Sequence, residues 1–319
     1  MRDHGGNIDG AIARFGGSDW IDLSTGINRV PYPVPALQPE DWTMLPTASA
    51  KQALLDVAAQ TYGCTAPMLA VAGAQAAIQM IPRLAKPGRA RVLGPTYNEH
   101  AAALRAAGWK VEQVSQFGQL AGADLAVVVN PNNPDGRSYT PEDLLGLAAR
   151  VGRLVVDESF ADAEPALSLA GQAGQAGLLV LRSFGKFYGL AGVRLGFVIG
   201  HQADIAALTE MAGPWPVNGA ALRIGAAALA DKAWAAATTA RLGAEAERLD
   251  AMAAAVGWAL VGGCALFRSY ETPDAETAQN RLAKAQIWSR IFPYSNRWLR
   301  LGLPGSPEEW ARLTRAMEV

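Results

Sequence analysis

The segment 182–197 reads Arg182-Ser183-Phe184-Gly185-Lys186-Phe187-Tyr188-Gly189-Leu190-Ala191-Gly192-Val193-Arg194-Leu195-Gly196-Phe197. It lies between two apolar runs, at 178–181 and 195–199, and each run predicts a buried strand. The pattern therefore places a single lysine, Lys186, in a glycine-rich bend between two strands.

A lysine in such a bend can do chemistry if its surroundings lower the pKa of its ammonium group. Poor solvation and a nearby cation such as Arg194 would both do so, and the neutral amine can then form a Schiff base with a carbonyl. Ser183 and Arg194 together offer a hydroxyl and a planar guanidinium, which are donors suited to a phosphate group. Taken alone, the same residues also fit an ordinary surface loop.

Composition limits the classes of protein to which the chain can belong. It has 319 residues, of which 50% are hydrophobic and 18% charged, so it is long enough for one large domain and a smaller one and is not disordered. The net charge of −1 provides no general field that would attract nucleic acid or an anionic membrane.

The cysteines and histidines do not form a recognisable ligand pattern. Cys64 and Cys264 predict small core residues in a reducing compartment, and the scattered His4, His100 and His201 predict no metal site. The opening residues lack an apolar signal region, and no apolar run reaches membrane-spanning length. We therefore expect a cytoplasmic protein.

Strand and helix patterns alternate between about residues 67 and 200. This alternation predicts an α/β fold whose large domain is built on a mainly parallel sheet. Asn133, Asp157 and Lys186 each follow an apolar strand, and ligands of such sheets bind beyond the carboxyl ends of the strands. The three side chains therefore indicate one functional site.

Proline and alanine content divides the rest of the chain. The prolines of the first 45 residues predict a loop-rich segment without long helices, whereas the alanine-rich residues 218–256 predict long helices. The tail predicts short strands and a closing helix, which make a smaller α+β domain. The predicted divisions are an N-terminal segment at 1–45 that packs with the small domain and the active site, a large cofactor-binding domain at 46–213 and a small C-terminal domain at 214–319.

Seven short motifs occur in a characteristic order along the chain. They are Gly73-Ala74-Gln75, Pro95-Thr96-Tyr97, Asn130-Pro131-Asn132-Asn133-Pro134-Asp135-Gly136, Asp157-Glu158-Ser159-Phe160, Ser183-Phe184-Gly185-Lys186, Arg194 and Leu299-Arg300-Leu301-Gly302-Leu303. Each motif is weak alone, but the ordered set resembles the fold-type I enzymes that depend on pyridoxal 5'-phosphate (PLP), the class I and II aminotransferase superfamily. The resemblance implies an aspartate-aminotransferase-like fold.

Further residues resemble one branch of that superfamily. They are His4-Gly5-Gly6-Asn7, Asp22-Leu23-Ser24-Thr25-Gly26-Ile27-Asn28, Arg182-Ser183-Phe184-Gly185-Lys186-Phe187 and Trp298-Leu299-Arg300-Leu301-Gly302-Leu303-Pro304. This set is similar to the threonine-phosphate decarboxylases of cobalamin biosynthesis, and histidinol-phosphate aminotransferases are the nearest alternative.

The resemblance implies roles for particular residues. Lys186, Asp157 and Tyr97 would be catalytic: the lysine would bind PLP covalently, the carboxylate would pair with the ring nitrogen, and the tyrosine would stack on the ring. The expected cofactor contacts are Ala74, Gln75, Tyr97, Asn133, Asp157, Ser183, Lys186 and Arg194. The expected substrate contacts are Asn28, Arg300 and, as weaker candidates, His4 and Arg290.

The sequence departs from the superfamily pattern at two positions. Phe160 and Leu45 stand where many aminotransferases have a tyrosine that contacts the cofactor. The missing hydroxyls make ordinary transamination a weaker expectation.

Three functions remain open at this point. The favoured one is decarboxylation of L-threonine O-3-phosphate to (R)-1-aminopropan-2-yl phosphate. The alternatives are an aminotransferase for an anionic amino substrate and a catalytically silent partner in corrinoid assembly. The resemblance also implies a homodimer.

Overall fold

The computed structural model describes residues 4–318, so Met1, Arg2, Asp3 and Val319 lie outside the described part of the chain. Its helices are α1 Ile8–Phe15, α2 Glu40–Thr43, α3 Ala48–Thr61, α4 Ala74–Met80, α5 Asn98–Ala106, α6 Pro141–Ala148, α7 Phe184–Phe187, α8 Gln202–Ala212, α9 Gly219–Ala230, α10 Lys232–Ala255, α11 Ala275–Lys284 and α12 Pro307–Glu318. Its strands are β1 Ile21–Asp22, β2 Met68–Val71, β3 Arg89–Leu93, β4 Lys110–Val114, β5 Leu125–Val129, β6 Leu154–Asp157, β7 Leu178–Ser183, β8 Gly196–Gly200, β9 Ala259–Cys264, β10 Phe267–Glu271, β11 Ile287–Trp288, β12 Arg290–Phe292 and β13 Ser295–Gly302.

The chain forms two compact units. The first, which we call the sheet unit, comprises residues 32–133 and 138–233. The second, which we call the terminal unit, comprises the chain up to Pro31, residues 134–137, and the chain from Trp234 onward. The division into segments at 1–45, 46–213 and 214–319, with the functions assigned to each, stays a prediction.

The sheet unit is built on seven strands in the order β2-β8-β7-β6-β5-β3-β4. Parallel pairing joins β7, β6, β5, β3 and β4, whereas β8 runs antiparallel to both β7 and β2. The predicted α/β class with a mainly parallel sheet is therefore confirmed. The direction of β8 brings the chain directly back along β7, so the segment around Lys186 is a short connection between paired strands.

Both faces of this sheet are covered. Along β5, Leu125 and Val127 belong to the apolar core on one face, while Ala126 and Val128 belong to the core on the other. Burial on both faces explains why the strands of this unit read as continuous apolar runs in the sequence rather than as alternating ones.

Local capping explains where the helix after β5 begins. The Thr140 hydroxyl accepts a hydrogen bond from the Asp143 amide at 3.2 Å, and the Asp143 carboxylate accepts one from the Thr140 amide at 3.3 Å. Pro141 occupies the first turn, where its missing amide hydrogen costs no helical hydrogen bond. The sequence predicted this start.

The terminal unit has a four-stranded antiparallel sheet in the order β12-β13-β10-β9 and a small parallel pair, β1 with β11. In the larger sheet Arg290 of β12 pairs with Arg300 of β13. In the smaller one Ile21 pairs with Ile287, which joins the N-terminal segment to the tail of the chain.

Helix α1 was not predicted from the sequence. The side chain of Asn7 caps it by accepting a hydrogen bond from the Gly10 amide at 3.1 Å, and the helix ends at Gly16, whose φ is 71°. The prolines that predicted a loop-rich segment begin at Pro31, so they do not interrupt residues 8–15. Within residues 4–318 no helix combines the length and the apolar character needed to cross a membrane.

Candidate active site

Lys186 lies in the one-turn helix α7, directly after β7. Its Nζ lies 5.7 Å from the centre of the Phe160 ring, and the side chain is half-buried. A methyl group at Gly185 would lie 2.7 Å from the Ala191 Cα, so the chain folds back too tightly for any larger residue there. The lysine is therefore held in a compact bend with an aromatic neighbour.

Asp157 ends β6 and is almost completely buried. Its Oδ2 lies 2.7 Å from His100 Nε2, and its Oδ1 accepts hydrogen bonds from the Ser159 amide at 3.0 Å and the Ser159 hydroxyl at 2.5 Å. Burial would raise the pKa of this carboxyl, but the contacts with His100 and Ser159 outweigh burial and hold the pKa below its ordinary value. The structure thus maintains a buried carboxylate anion.

Tyr97 precedes α5 and contacts the helix that begins at Ala74. Its hydroxyl donates to Gln75 Oε1 at 3.2 Å, and Gln75 Nε2 donates to Glu99 Oε2 at 3.1 Å. The Tyr97 ring is nearly perpendicular to the His100 ring, with centroids 6.2 Å apart. Through His100, the tyrosine and Asp157 belong to one connected cluster.

The backbone of Gly73 lies close to the guanidinium of Arg194, and we call this pair the cradle. Gly73 has a φ of 72°, and a Cβ built on it would lie 2.7 Å from Arg194 Nη2. A Cβ on Gly196 would lie 2.5 Å from the Ala74 amide nitrogen. Arg194 itself adopts the left-handed conformation, with φ 57° and ψ 50°. Glycines at 73 and 196 therefore let the guanidinium and the first amides of α4 approach each other.

The remaining predicted cofactor contacts, Ser183 and Asn133, lie at or just after the ends of β7 and β5, which flank β6. Ser183 is the last residue of β7 and pairs with Gly196 of β8. Asn133 follows Asn132, whose Oδ1 accepts a hydrogen bond from the Thr96 hydroxyl at 2.6 Å. The structure thus brings together the two loops that carry Tyr97 and Asn133.

In the terminal unit, Arg300 is buried in β13. Its Nη2 donates to the carbonyl oxygen of Ser24, and its guanidinium carbon lies 5.1 Å from the centre of the Phe267 ring. Burial, together with the charge of Arg290, lowers the pKa of Arg300 to about 10. The group remains charged at neutral pH and is a strong candidate for binding an anion.

Asn28 of the terminal unit is also buried, and the orientation of its side chain is fixed. Its Oδ1 accepts hydrogen bonds from the Val30 amide at 3.0 Å and from Arg241 Nη2 at 2.8 Å. The other arm of Arg241, Nη1, donates to Glu245 at 2.6 Å. The amide oxygen is therefore committed to Arg241 and the backbone.

His4 of the terminal unit lies at the exposed start of the described chain. Gly6, two residues later, donates its amide hydrogen to the Ser24 hydroxyl at 2.7 Å. The same Ser24 accepts from Arg300 through its carbonyl group. The segment that carries His4 and the strand that carries Arg300 thus contact one common residue.

Residues 47–317 match the family described as aminotransferase class I and II. The chain belongs to this family. The predicted resemblance to the aminotransferase superfamily is confirmed.

Individual members of the family match almost the whole chain. The chain is 44% identical to the threonine-phosphate decarboxylase of a Sinorhizobium species, over 98% of this chain and 97% of the relative. It is 42% identical to the threonine-phosphate decarboxylase of Pseudomonas aeruginosa, over 99% and 97%. The solved histidinol-phosphate aminotransferase of Sinorhizobium meliloti, in complex with pyridoxal-5'-phosphate, has the same fold, with a TM-score of 0.79 at 19% identity over 97% of this chain and 92% of that one.

Sequence reasoning missed the contact between His100 and Asp157. His100 was considered only as a metal ligand, and on that criterion the histidines are scattered. A signal was nevertheless available, because His100 stands only three residues after Tyr97, in the first turn of helix α5. The roles assigned to the predicted site residues stay predictions.

Proposed function

We propose that this member of the aminotransferase family is a PLP-dependent threonine-phosphate decarboxylase. It converts L-threonine O-3-phosphate to (R)-1-aminopropan-2-yl phosphate and carbon dioxide. The observation that carries this proposal is the match over nearly the whole chain to two proteins of that name. The product is an amino alcohol phosphate suited to cobalamin assembly in the cytoplasm.

The residues of the sheet unit fit PLP. The cofactor has an aldehyde, a ring nitrogen and a phosphate, and the unit offers Lys186, the ionised Asp157 and the cradle between Gly73 and Arg194. Gly73 has a φ of 72°, which disfavours any residue with a side chain, and a Cβ there would displace the Arg194 guanidinium. When bound, PLP accepts the electron pair that remains after a bond to the substrate α-carbon breaks.

Asp157 would keep the ring nitrogen protonated. A buried anion beside a basic nitrogen raises the pKa of that nitrogen. His100 and Ser159 occupy both oxygens of Asp157 with hydrogen bonds, which fixes the orientation of the carboxylate. Tyr97 would pack on the ring, and Asn133 would donate to its phenolic oxygen.

Lys186 would carry out proton transfer in the reaction. Loss of carbon dioxide leaves the α-carbon without a substituent, and a proton must take its place. The Lys186 side chain, in its ammonium form, is the candidate donor; it is half-buried, and its Nζ lies over the Phe160 ring.

The terminal unit would recognise the two anionic groups of the substrate. Arg300 is the candidate partner of the carboxylate, and Asn28, which is also buried in this unit, is a further candidate for substrate contact. His4 and Arg290 are the candidate partners of the phosphate. Charge-assisted hydrogen bonds contribute about 1.5–3 kcal/mol each, so two such contacts can select one orientation of the substrate.

The first prediction is that the protein with PLP releases carbon dioxide from L-threonine phosphate over many turnovers. The cofactor should remain in its aldehyde form, because decarboxylation transfers no amino group to it. Trapped carbon dioxide and the cofactor absorption spectrum measure both quantities. Stoichiometric pyridoxamine phosphate without carbon dioxide would contradict the proposal and would assign an aminotransferase.

Substrate comparison tests the phosphate contacts within the same assay. His4→Ala and Arg290→Ala should each lower kcat/KM for L-threonine phosphate by about 10-fold or more, with a smaller effect on L-threonine. Arg297→Ala is the matched control, because Arg297 lies on β13 but is exposed and pairs with Glu271 at 2.8 Å. Equal losses on both substrates would exclude His4 and Arg290 as phosphate ligands.

We also propose that the active form is a homodimer. The sheet unit exposes several large apolar side chains around α2 and the start of α9, namely Trp42 at 67%, Met44 at 59%, Leu45 at 63% and Trp215 at 55%. Asp41 in α2 accepts a hydrogen bond from Arg223 in α9 at 2.6 Å, which holds these two helices together. An exposed apolar group of this size is typical of a surface that another chain covers.

The second prediction concerns this surface. Wild-type protein should sediment as a dimer, and Trp42→Asp combined with Leu45→Asp should shift it to a monomer by introducing charges that cannot be buried. Leu260→Asp is the control, because Leu260 is 48% exposed and belongs to the terminal unit. A wild-type monomer with full activity would exclude the dimer proposal.

A further inference from the structure

Ser24 contacts two parts of the terminal unit that are far apart in the chain. It is completely buried, its hydroxyl accepts the Gly6 amide hydrogen at 2.7 Å, and its carbonyl oxygen accepts from Arg300 Nη2. Arg300 is 276 residues away in sequence. One small residue therefore lies between the segment that begins at His4 and the strand that carries Arg300.

The orientation of Ser24 is fixed on both sides. Its hydroxyl donates to Asp22 Oδ1 at 2.6 Å, and its amide donates to the same oxygen at 2.8 Å. Because the hydroxyl hydrogen is committed to Asp22, the lone pairs of that oxygen point away from Asp22 and can accept the Gly6 amide hydrogen. Asp22 thus sets the rotamer that holds the N-terminal segment.

Close backbone contact adds to this anchor. A Cβ on Gly5 would overlap the carbonyl oxygen of Ser24 and would lie 3.1 Å from its hydroxyl oxygen. The segment can approach Ser24 in this way only because residue 5 is a glycine. His4, the residue before Gly5, is therefore placed by the packing of Gly5 on the same carbonyl group that accepts from Arg300.

We propose that Ser24 is a positioning residue that fixes the distance between the two anion-binding parts of the terminal unit. The inference rests on the proposed function, in which Arg300 binds the substrate carboxylate and His4 its phosphate. A fixed separation would favour amino acids whose phosphate, like that of L-threonine O-3-phosphate, is carried by the carbon next to the α-carbon. Ser24 touches neither anion and acts through Gly5, Gly6 and Arg300.

Hydrogen exchange tests the anchor without any substrate. In Ser24→Ala and in Gly5→Ala, full-length protein should exchange the amides of the peptide spanning residues 4–15 faster than wild type by about 3- to 10-fold, because the Gly6 hydrogen bond is lost or displaced. Gly243→Ala is the matched control, because a Cβ at Gly243 meets nothing within 4 Å. Unchanged exchange of this peptide in both variants would overturn the proposal.

Steady-state kinetics test the positioning role. Ser24→Ala should raise KM for L-threonine phosphate by about 3- to 10-fold with a smaller change in kcat and in KM for L-threonine, and Ser24→Thr, which keeps the hydroxyl group, should restore part of the loss. Gly5→Ala should lower kcat/KM for L-threonine phosphate about as much as His4→Ala does. The double variant Gly5→Ala with His4→Ala should lose little more of kcat/KM than either single variant. Additive losses, or an equal rise in KM for both substrates, would contradict the proposal.

The two tests separate this inference from the proposed function. If no carbon dioxide is released from L-threonine phosphate, the decarboxylase proposal fails, and the exchange of the N-terminal peptide still decides whether Ser24 anchors it. If carbon dioxide is released and the exchange of that peptide does not change in the variants, the decarboxylase proposal stands and the role of Ser24 is excluded.

Discussion

Lys186→Ala is expected to abolish the covalent attachment of PLP and to lower decarboxylation by about 10³-fold or more. In the proposed mechanism the variant loses both the amine that would bind the aldehyde and the candidate proton donor, and each of these functions alone contributes a large rate factor. Borohydride reduction followed by mass spectrometry of the peptides will locate the cofactor in wild-type protein. Near-ultraviolet circular dichroism will show whether the variant keeps its fold.

A second lysine provides the control for this experiment. Lys110 belongs to the same unit and is exposed at the start of β4. Lys110→Ala should therefore keep the reducible link and the activity. A link to another lysine in Lys186→Ala protein would show that the assignment is wrong.

Asp157→Asn is expected to lower kcat by about 10²- to 10⁴-fold while the protein still binds PLP. Asparagine has nearly the same shape but carries no charge, so it cannot keep the ring nitrogen protonated. Rapid-scan absorption of the bound cofactor and steady-state kcat measure the two effects. A variant that retains full kcat would exclude a charge role for Asp157.

The pKa of Asp157 also gives an expectation for pH dependence. Because the folded state lowers this pKa below the ordinary 3.8, the carboxylate stays ionised through the neutral range. Its contribution to stability is present above the unfolded pKa and is lost as the pH falls through the lower folded value. Any acid limb of the rate profile between pH 5 and 8 therefore belongs to another group.

Asp204→Asn is a suitable control for the charge change. Asp204 accepts a hydrogen bond from Arg153 Nη2 at 2.5 Å in the same unit and lies outside the cluster around Asp157. The substitution should alter stability more than kcat. A fall in kcat equal to that of Asp157→Asn would indicate a general effect of removing a hydrogen-bonded carboxylate from this unit.

Local sequence patterns were enough to predict the elements around the lysine. Apolar runs located β7 and β8, and the threonine and proline at 140 and 141 marked the start of α6. These signals work because strand burial and helix capping depend on residues close together in the chain. An apolar run does not indicate whether a strand pairs parallel or antiparallel with its neighbours, however, so only the structure shows that β8 is antiparallel to β7.

Contacts between distant residues explain most of what the sequence did not reveal. His100 and Asp157 are 57 residues apart, and Ser24 and Arg300 are 276 residues apart. Asp157 and Arg300 were recognised from their motifs, but their partners His100 and Ser24 were not, because these contacts arise only when the chain folds. The buried charge of Asp157 was predicted from its motif, but the residues that keep it ionised were not.

Arg194 has a further consequence for the evolution of this protein. It is an arginine in the left-handed region, with φ 57°, where a residue with a side chain is disfavoured by about 1–2 kcal/mol relative to its ordinary conformation. Glycine would relieve that strain but would remove the guanidinium next to Gly73. If Arg194 binds the cofactor phosphate as proposed, heat resistance and cofactor binding favour different residues at this position. Laboratory selection for heat resistance alone would be expected to replace Arg194 with glycine or asparagine, whereas selection for activity would retain the arginine.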